Sequence, residues 1–129
     1  MKRILSSLLA CAFTALVATA GEFPDISIPD LKKAIQENKV TVIDVNGTDS
    51  YKQGHIPTAL NFEETKASLD KKLPADKDAL VVAYCGSPAC TAYTAAAKKA
   101  KELGYKNVKH LSAGISGWKA AGEKTEPAK

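Results

Sequence analysis

Arginine is almost missing: Arg3 is the only one in 129 residues. Beyond the first turn of chain there is then no guanidinium for a bidentate grip on an anion. Lysine is plentiful, but no basic patch is interleaved with aromatics, and no nucleic-acid motif occurs, so no nucleic-acid partner is expected. No apolar run reaches the ~20 residues that span a bilayer. No fixed period recurs, which excludes repeat, collagen-like and coiled-coil architectures. Histidine occurs twice and cysteine three times, too few and too scattered for a closely spaced metal-ligand motif. What remains is ordinary for a single globular domain, with 45% hydrophobic and 25% charged residues.

The beginning of the chain reads as a secretory signal peptide over residues 1–20. Met1-Lys2-Arg3 is basic, residues 4–17 are uncharged and largely apolar, and Ala18-Thr19-Ala20 offers small residues at a cleavage site. An uncleaved anchor fits less well, because the segment is short. Leu8-Leu9-Ala10-Cys11 loosely resembles a lipobox, but cleavage there leaves apolar residues at the new N-terminus. Loss of Lys2 and Arg3 lowers the net charge from +4 to +2. The expected destination is an oxidising compartment, the periplasm first, with no stable membrane insertion after cleavage. Cys85 and Cys90 remain there as an even pair.

Residues 21–25 read as a linker, residues 26–122 as one domain and residues 123–129 as a flexible tail. Ser27 followed by Asp30, with Pro29 between them, predicts a capped helix start, and Ile28, Leu31 and Ile35 then share a face. Residues 40–45 are a β-branched run without helical spacing, the pattern of a strand buried on both sides. Residues 48–53 predict a short helix, 59–62 a short strand, and 63–73 a polar helix. Residues 79–84 form the second strong strand. Residues 91–103 predict the longest helix, with Ala92, Ala96, Ala100 and Leu103 on one face. Residues 107–111 predict a strand and 115–121 a last helix carrying Trp118. Strands alternating with helices give an α/β domain around a parallel sheet.

The chemistry concentrates in one loop. Cys85 follows a buried strand, and Gly86-Ser87-Pro88-Ala89-Cys90-Thr91 turn the chain into a helix whose first N–H groups lack helical partners. Donors and a helix dipole at that place stabilise a thiolate, a persulfide or an oxyanion. Gly86 permits unusual backbone angles, and Pro88 stiffens the turn. Ser87 and Thr91 offer hydroxyls to the site or cap the helix. A phosphatase-like reading lacks its arginine. A thioredoxin-type reading expects Cys-x-x-Cys, whereas the spacing here is Cys-x-x-x-x-Cys.

Four segments, in order, resemble the single-domain rhodanese family. They are Val42-Ile43-Asp44-Val45, Gly54-His55-Ile56-Pro57-Thr58-Ala59, Val81-Val82-Ala83-Tyr84-Cys85, and Leu111-Ser112-Ala113-Gly114-Ile115-Ser116-Gly117-Trp118. The resemblance implies a rhodanese-like α/β fold, with a central parallel five-stranded sheet flanked by helices on both faces. It also implies transfer of a sulfane sulfur through a Cys85 persulfide. The donor would be thiosulfate, polysulfide or a persulfide, and the acceptor a thiol (small or on a protein), sulfide or cyanide. No cofactor and no metal are implied, and a monomer is expected. The six-residue loop matches the family's sulfurtransferases in length.

Departures from the family pattern are equally specific. Pro88 and Cys90 stand where many members have glycine and arginine. Asn46 replaces the arginine of Asp-Val-Arg, and Thr58 replaces a turn glycine. The missing loop arginine weakens the case for thiosulfate as donor. Three roles for Cys90 stay open: a resolving thiol, half of a structural disulfide, or a packed bystander. Beside sulfur transfer stand two other functions, a thiol–disulfide redox protein and a non-catalytic binding module. Asp44, His55 and Trp118 are expected in supporting structural roles. A zinc site from Cys85, Cys90, His55 and His110 requires two isolated histidines to converge on the pair and is disfavoured.

Overall fold

The computed structural model describes residues 23–128. The expected signal peptide and the lipobox-like Cys11 lie outside the described residues. Among those described, no helix is long and apolar enough to cross a membrane.

The sheet grows outward from its two most apolar segments. Strand β1 (Val40–Asp44) pairs in parallel with β3 (Leu80–Tyr84) over five residues, from Val40 beside Leu80 to Asp44 beside Tyr84. Strand β2 (Leu60–Asn61) lies outside β1, and β4 (Val108–His110) outside β3, giving the order β2-β1-β3-β4. The expectation of five strands is therefore corrected to four. The fifth place is held by the chain before the first helix, reduced to one parallel bridge between Asp25 and His110. There the Ile26 N–H donates to His110 O at 2.9 Å, and the His110 N–H donates to Pro24 O at 2.9 Å. Pro24 has no N–H to extend the ladder. Phe23 is buried in the core, so residues 23–25 are part of the domain rather than a linker.

Helices cover both faces. Helix α1 (Ile28–Gln36) starts as read, with the Ser27 hydroxyl accepting from the Asp30 N–H at 3.2 Å. It buries Leu31 with Val42, Val82, Tyr84, Leu111 and Trp118. Helices α2 (Thr48–Gln53) and α6 (Gly114–Ala120) pack on this face through Tyr51 and Trp118. The opposite face holds Ile43, Val81 and Ala83 against α5 (Tyr93–Glu102). Alternate side chains of β1 and β3 thus feed two cores, as a sheet buried on both sides requires. The α5 face is the expected one at Ala96, Ala100 and Leu103 but not at Ala92. Tyr93, Ala96, Ala97 and Ala100 face the sheet, while Ala92 is exposed ahead of the first turn. Residues 63–73 are likewise not one helix. They break into α3 (Phe62–Thr65), a 3₁₀ turn (Lys66–Ser68) and α4 (Leu69–Lys72), with Leu69 as the buried anchor.

The tail is pinned rather than frayed. His55 and Glu126 exchange backbone hydrogen bonds in both directions, at 2.9 and 2.8 Å. Trp118 Nε1–H donates to Lys124 O at 2.8 Å, and Lys32 pairs with Glu123 at 3.0 Å. A long-range backbone bridge of this kind leaves no periodicity in sequence, which is why polarity alone suggested a free end.

Thr58, in the turn before β2, has φ +72°. A β-branched side chain is strained in that left-handed region by about 1 kcal/mol or more. Thr58→Gly is expected to raise the free energy of unfolding by about 1 kcal/mol in urea titration, despite glycine's greater freedom when unfolded.

Candidate functional site

The β1–β3 register sets Asp44 beside Tyr84 at the carboxyl ends of the central strands, the edge where parallel sheets bind ligands. Cys85 is the next residue. Its side chain is 2% exposed and lies in the core cluster with Tyr93, Ala96 and Ala97, against which Cys90 also packs. The loop turns back at once: the Cys90 N–H donates to Ser87 O at 3.0 Å, with Pro88 and Ala89 at the exposed corner. Cys85 and Cys90 are joined by a disulfide, with their Cα atoms 6.2 Å apart. That separation is within the usual disulfide range. Of the three roles left open for Cys90, the bystander is set aside.

Helix α6 holds the start of the loop. The Ile115 N–H donates to Cys85 O and the Ser116 N–H to Gly86 O, both at 2.9 Å. Gly114 makes this approach possible. It has φ +63°, and a Cβ there would stand 2.7 Å from Cys85 O and from the carbonyl of Gly86. Gly86 itself does not use the left-handed region, so its expected freedom is not what shapes the turn. At the other end α5 begins at Tyr93 with Ala92 as its N-cap and no side-chain cap. Neither Ser87 nor Thr91 therefore caps this helix by its hydroxyl. It is the Thr91 carbonyl that is used, accepting from the Thr94 N–H at 3.1 Å and the Thr94 hydroxyl at 2.8 Å.

Below the loop lies a buried polar relay. The Tyr84 hydroxyl donates to Asp44 Oδ2 at 2.5 Å and accepts from the Ile56 N–H at 3.0 Å. Asp44 Oδ1 accepts from the Asn46 N–H at 2.7 Å. Asp44 is 1% exposed, and burial raises its carboxyl pKa, opposed first by the Tyr84 hydrogen bond. Burial, then the charge of Asp44, pushes the Tyr84 phenol up, which keeps it a donor. Asp44 thus braces β1, β3 and the Ile56 turn together. Asn46, at the arginine position, approaches the loop: a Cβ on Gly86 would be 3.6 Å from its Oδ1.

His55 is buried and stacks on Tyr51 with ring centroids 3.8 Å apart. Its Nδ1 is 2.9 Å from Tyr51 O. A carbonyl only accepts, so Nδ1 carries the proton. His110 stacks on Tyr93 at 3.4 Å, and burial lowers its pKa, with Asp25 opposing. The two histidines are thus engaged with different aromatic partners. Among the described residues no group of three or more His, Cys, Asp or Glu is disposed to hold a metal ion. Trp118 is buried on the α1 face. Sequence reasoning missed the Tyr84 relay, the Gly114 seat and the Tyr93–His110 stack. The available signal was a tyrosine ending one buried strand when an aspartate ends its neighbour.

Two outcomes follow from this arrangement. Tyr84→Phe strands a buried carboxylate and the Ile56 N–H, and is expected to cost about 2 kcal/mol or more in urea unfolding. The raised Asp44 pKa means that the native state holds this proton more tightly than the unfolded chain. Its contribution is complete below about pH 4 and is lost as pH rises through the native value. The stability of the wild type relative to Asp44→Asn should therefore fall with rising pH across that window. Parallel curves, or a wild type that gains on Asp44→Asn as pH rises, would contradict the assignment.

Comparison with known proteins agrees with this geometry. A family described as "Rhodanese-like domain" matches residues 27–121. The chain is 33% identical over 98 residues to the HTH-type transcriptional regulator Rv0324 of Mycobacterium tuberculosis, covering 75% of this chain but only 42% of that protein. It is 29% identical over 98 residues to the thiosulfate sulfurtransferase GlpE of Coxiella burnetii, covering 76% of this chain and 89% of that one. The BH2092 protein of Bacillus halodurans superposes with a TM-score of 0.63 at 32% identity, over 81% of this chain and 77% of the other. The human single-domain sulfurtransferase TSTD1 shares the fold, with a TM-score of 0.61 at 18% identity over 75% of this chain and 96% of its own. A parallel sheet carrying a cysteine loop at its carboxyl edge, matched over residues 27–121, identifies this chain as a member of the rhodanese-like family.

Proposed function

We propose that the protein is a sulfurtransferase that carries a sulfane sulfur on Cys85. The observation that supports this best is the placement of Cys85. It is the first residue past the central strand, its carbonyl and that of Gly86 are held by α6, and the seven residues 86–92 lead from it into α5. A thiol reductant first opens the Cys85–Cys90 disulfide. The Cys85 thiolate then attacks the outer sulfur of the donor. A bond forms between Cys85 Sγ and that sulfur, while the donor's S–S bond breaks and its electron pair leaves with sulfite or a shortened polysulfide. An acceptor thiol, sulfide or cyanide next attacks the outer sulfur and the Cys85 thiolate departs. The relay of Asp44, Tyr84 and Ile56 touches none of the reacting atoms and keeps the strand ends in register. The same proposal sets the protein outside the cytoplasm, in the periplasm, on the strength of the pattern in residues 1–20.

The neutral loop selects among donors. No residue from 23 to 128 is an arginine, and Cys90 stands where the family resemblance leads one to expect an arginine. A charge-assisted hydrogen bond is worth about 1.5–3 kcal/mol, so dianionic thiosulfate loses at least about tenfold in kcat/KM. Polysulfides and organic persulfides present less concentrated charge to the loop.

A second reading is a thiol–disulfide redox protein, and the Cys85–Cys90 disulfide favours it. Intact mass of the reduced protein after treatment with inorganic tetrasulfide separates the two. Sulfur transfer gives 32 Da added in Cys90→Ser and nothing in Cys85→Ser, with thiocyanate formed on adding cyanide. Absence of any sulfur adduct, with loss of two hydrogens in the wild type only, supports the redox reading instead. Thiosulfate is expected to load Cys90→Ser at least about tenfold more slowly than tetrasulfide.

A further inference from the structure

Resting on the persulfide reading of Cys85, we infer that Cys90 discharges that persulfide within the same loop and releases the sulfur as sulfide. The activity is a reductive one, donor sulfane to sulfide at the expense of a dithiol, and it differs from passing the sulfur to an outside acceptor.

Four observations carry it. The first is reach. The turn closed by the Cys90 N–H and Ser87 O folds the chain back, and the 6.2 Å Cα separation lets the two sulfurs bond directly. The second is competition. Cys85 is 2% exposed and shares an apolar cluster with Cys90, so a dissolved acceptor must enter a nearly closed place where Cys90 already stands. An internal nucleophile in contact acts at an effective concentration that no free thiol matches. Third, both ends of the loop are anchored, Cys85 and Gly86 by α6 and Thr91 by the first turn of α5, so opening the disulfide leaves Cys90 within range. Fourth, the ring closed by the bond lies inside one loop. No strand pairing crosses it, and the sheet does not depend on its state.

The step balances. Cys85–S–S⁻ and Cys90–SH give the Cys85–Cys90 disulfide and HS⁻. The Cys90 sulfur, its proton passing to the departing sulfur, attacks Cys85 Sγ. The bond between Cys85 Sγ and the outer sulfur breaks, and its electron pair leaves with hydrosulfide. The two cysteine sulfurs together lose two electrons, and the sulfane sulfur gains them. Hydrosulfide is the conjugate base of hydrogen sulfide, a stronger acid than an alkyl thiol, which favours its departure over that of an alkyl thiolate. The product is the disulfide already in the structure. An external dithiol reductant, the protein's second substrate class, returns it to the dithiol by ordinary exchange.

A single-turnover experiment tests this. The full-length protein, carrying Cys11→Ser in every variant so that Cys85 and Cys90 are its only thiols, is reduced, freed of reductant under nitrogen, and mixed separately with inorganic tetrasulfide and with thiosulfate carrying ³⁵S in its outer position. Sulfide and intact mass are followed, and Cys85→Ser supplies the blank for sulfide arising from the donor alone. The wild type is expected to release one sulfide per chain above that blank and to finish two mass units below its reduced form. The rate should not vary with protein concentration, which marks attack within one chain. Cys90→Ser, with Cys90→Ala as a second variant in case the serine disturbs folding, should keep 32 Da on Cys85 and release none. If the wild type and both variants hold the 32 Da alike, with no sulfide above blank, the inference is overturned and the persulfide reading stands. Loss of two hydrogens in the wild type without sulfide overturns it in favour of plain redox exchange. If even the Cys90 variants take up no sulfur from either donor, the reading on which it rests fails.

Discussion

The pairing of β1 with β3 is the constraint on which the rest of the molecule depends. Five residues of each strand run side by side, and the register ends with Asp44 next to Tyr84. A shift by one residue would exchange the two faces of β1 and turn Val42 and Ile43 each toward the wrong core. The Tyr84–Asp44 hydrogen bond makes such a slip still more costly, because both groups are buried and the Ile56 N–H shares the same hydroxyl. Cys85 takes its position from this register. It is delivered to the sheet's edge by a strand whose register both cores and the Tyr84–Asp44 hydrogen bond favour, and α6 then seats its carbonyl.

The central part of this arrangement was legible in the sequence. A β-branched run gave β1, the apolar segment over residues 79–84 gave β3, Ser27 and Asp30 marked the start of α1, and a cysteine between a strand and a helix pointed to the loop. These signals are local or periodic. What escaped was non-local. The bridge of Asp25 to His110 is a single residue pair, too short to leave a period. The strap from Glu126 to His55 is made by backbone atoms, which composition does not report. Gly114 sits at a contact between α6 and a loop nearly thirty residues away. The polar helix over 63–73 failed because Leu69 needed burial and the chain bent through a 3₁₀ turn to provide it. In the site, Cys85 and Cys90 stand out in the sequence as a pair, but their spacing does not fix pairing, and it is the fold that brings them to bonding separation.

Replacing a loop arginine with Cys90 changes what kind of information the site holds. An arginine is a fixed charge that selects donors by their anionic groups. A thiol beside Cys85 instead makes the site's state depend on the electron supply around it. The ring it closes has six residues, and the chain-entropy description assigns such a loop about 2 kcal/mol, against about 4.7 kcal/mol for a loop of 100 residues. A bond of that size adjusts a loop. The two apolar cores on either side of β1 and β3 supply the stability, and they are present whichever state the pair is in.

The taper of the sheet has a consequence for how these molecules meet one another. Its inner strands have five residues each, while β2 has two and β4 has three. One residue of the chain's own N-terminal segment already bridges to His110 on the outer side of β4. A neighbouring copy seeking to add a strand finds only short ladders of free backbone groups at either edge. Parallel sheets are vulnerable to edge-to-edge association because their hydrogen-bonding pattern continues to the rim. Here the rim is truncated on one side and occupied on the other, so the fold carries its own protection against growing into a fibre.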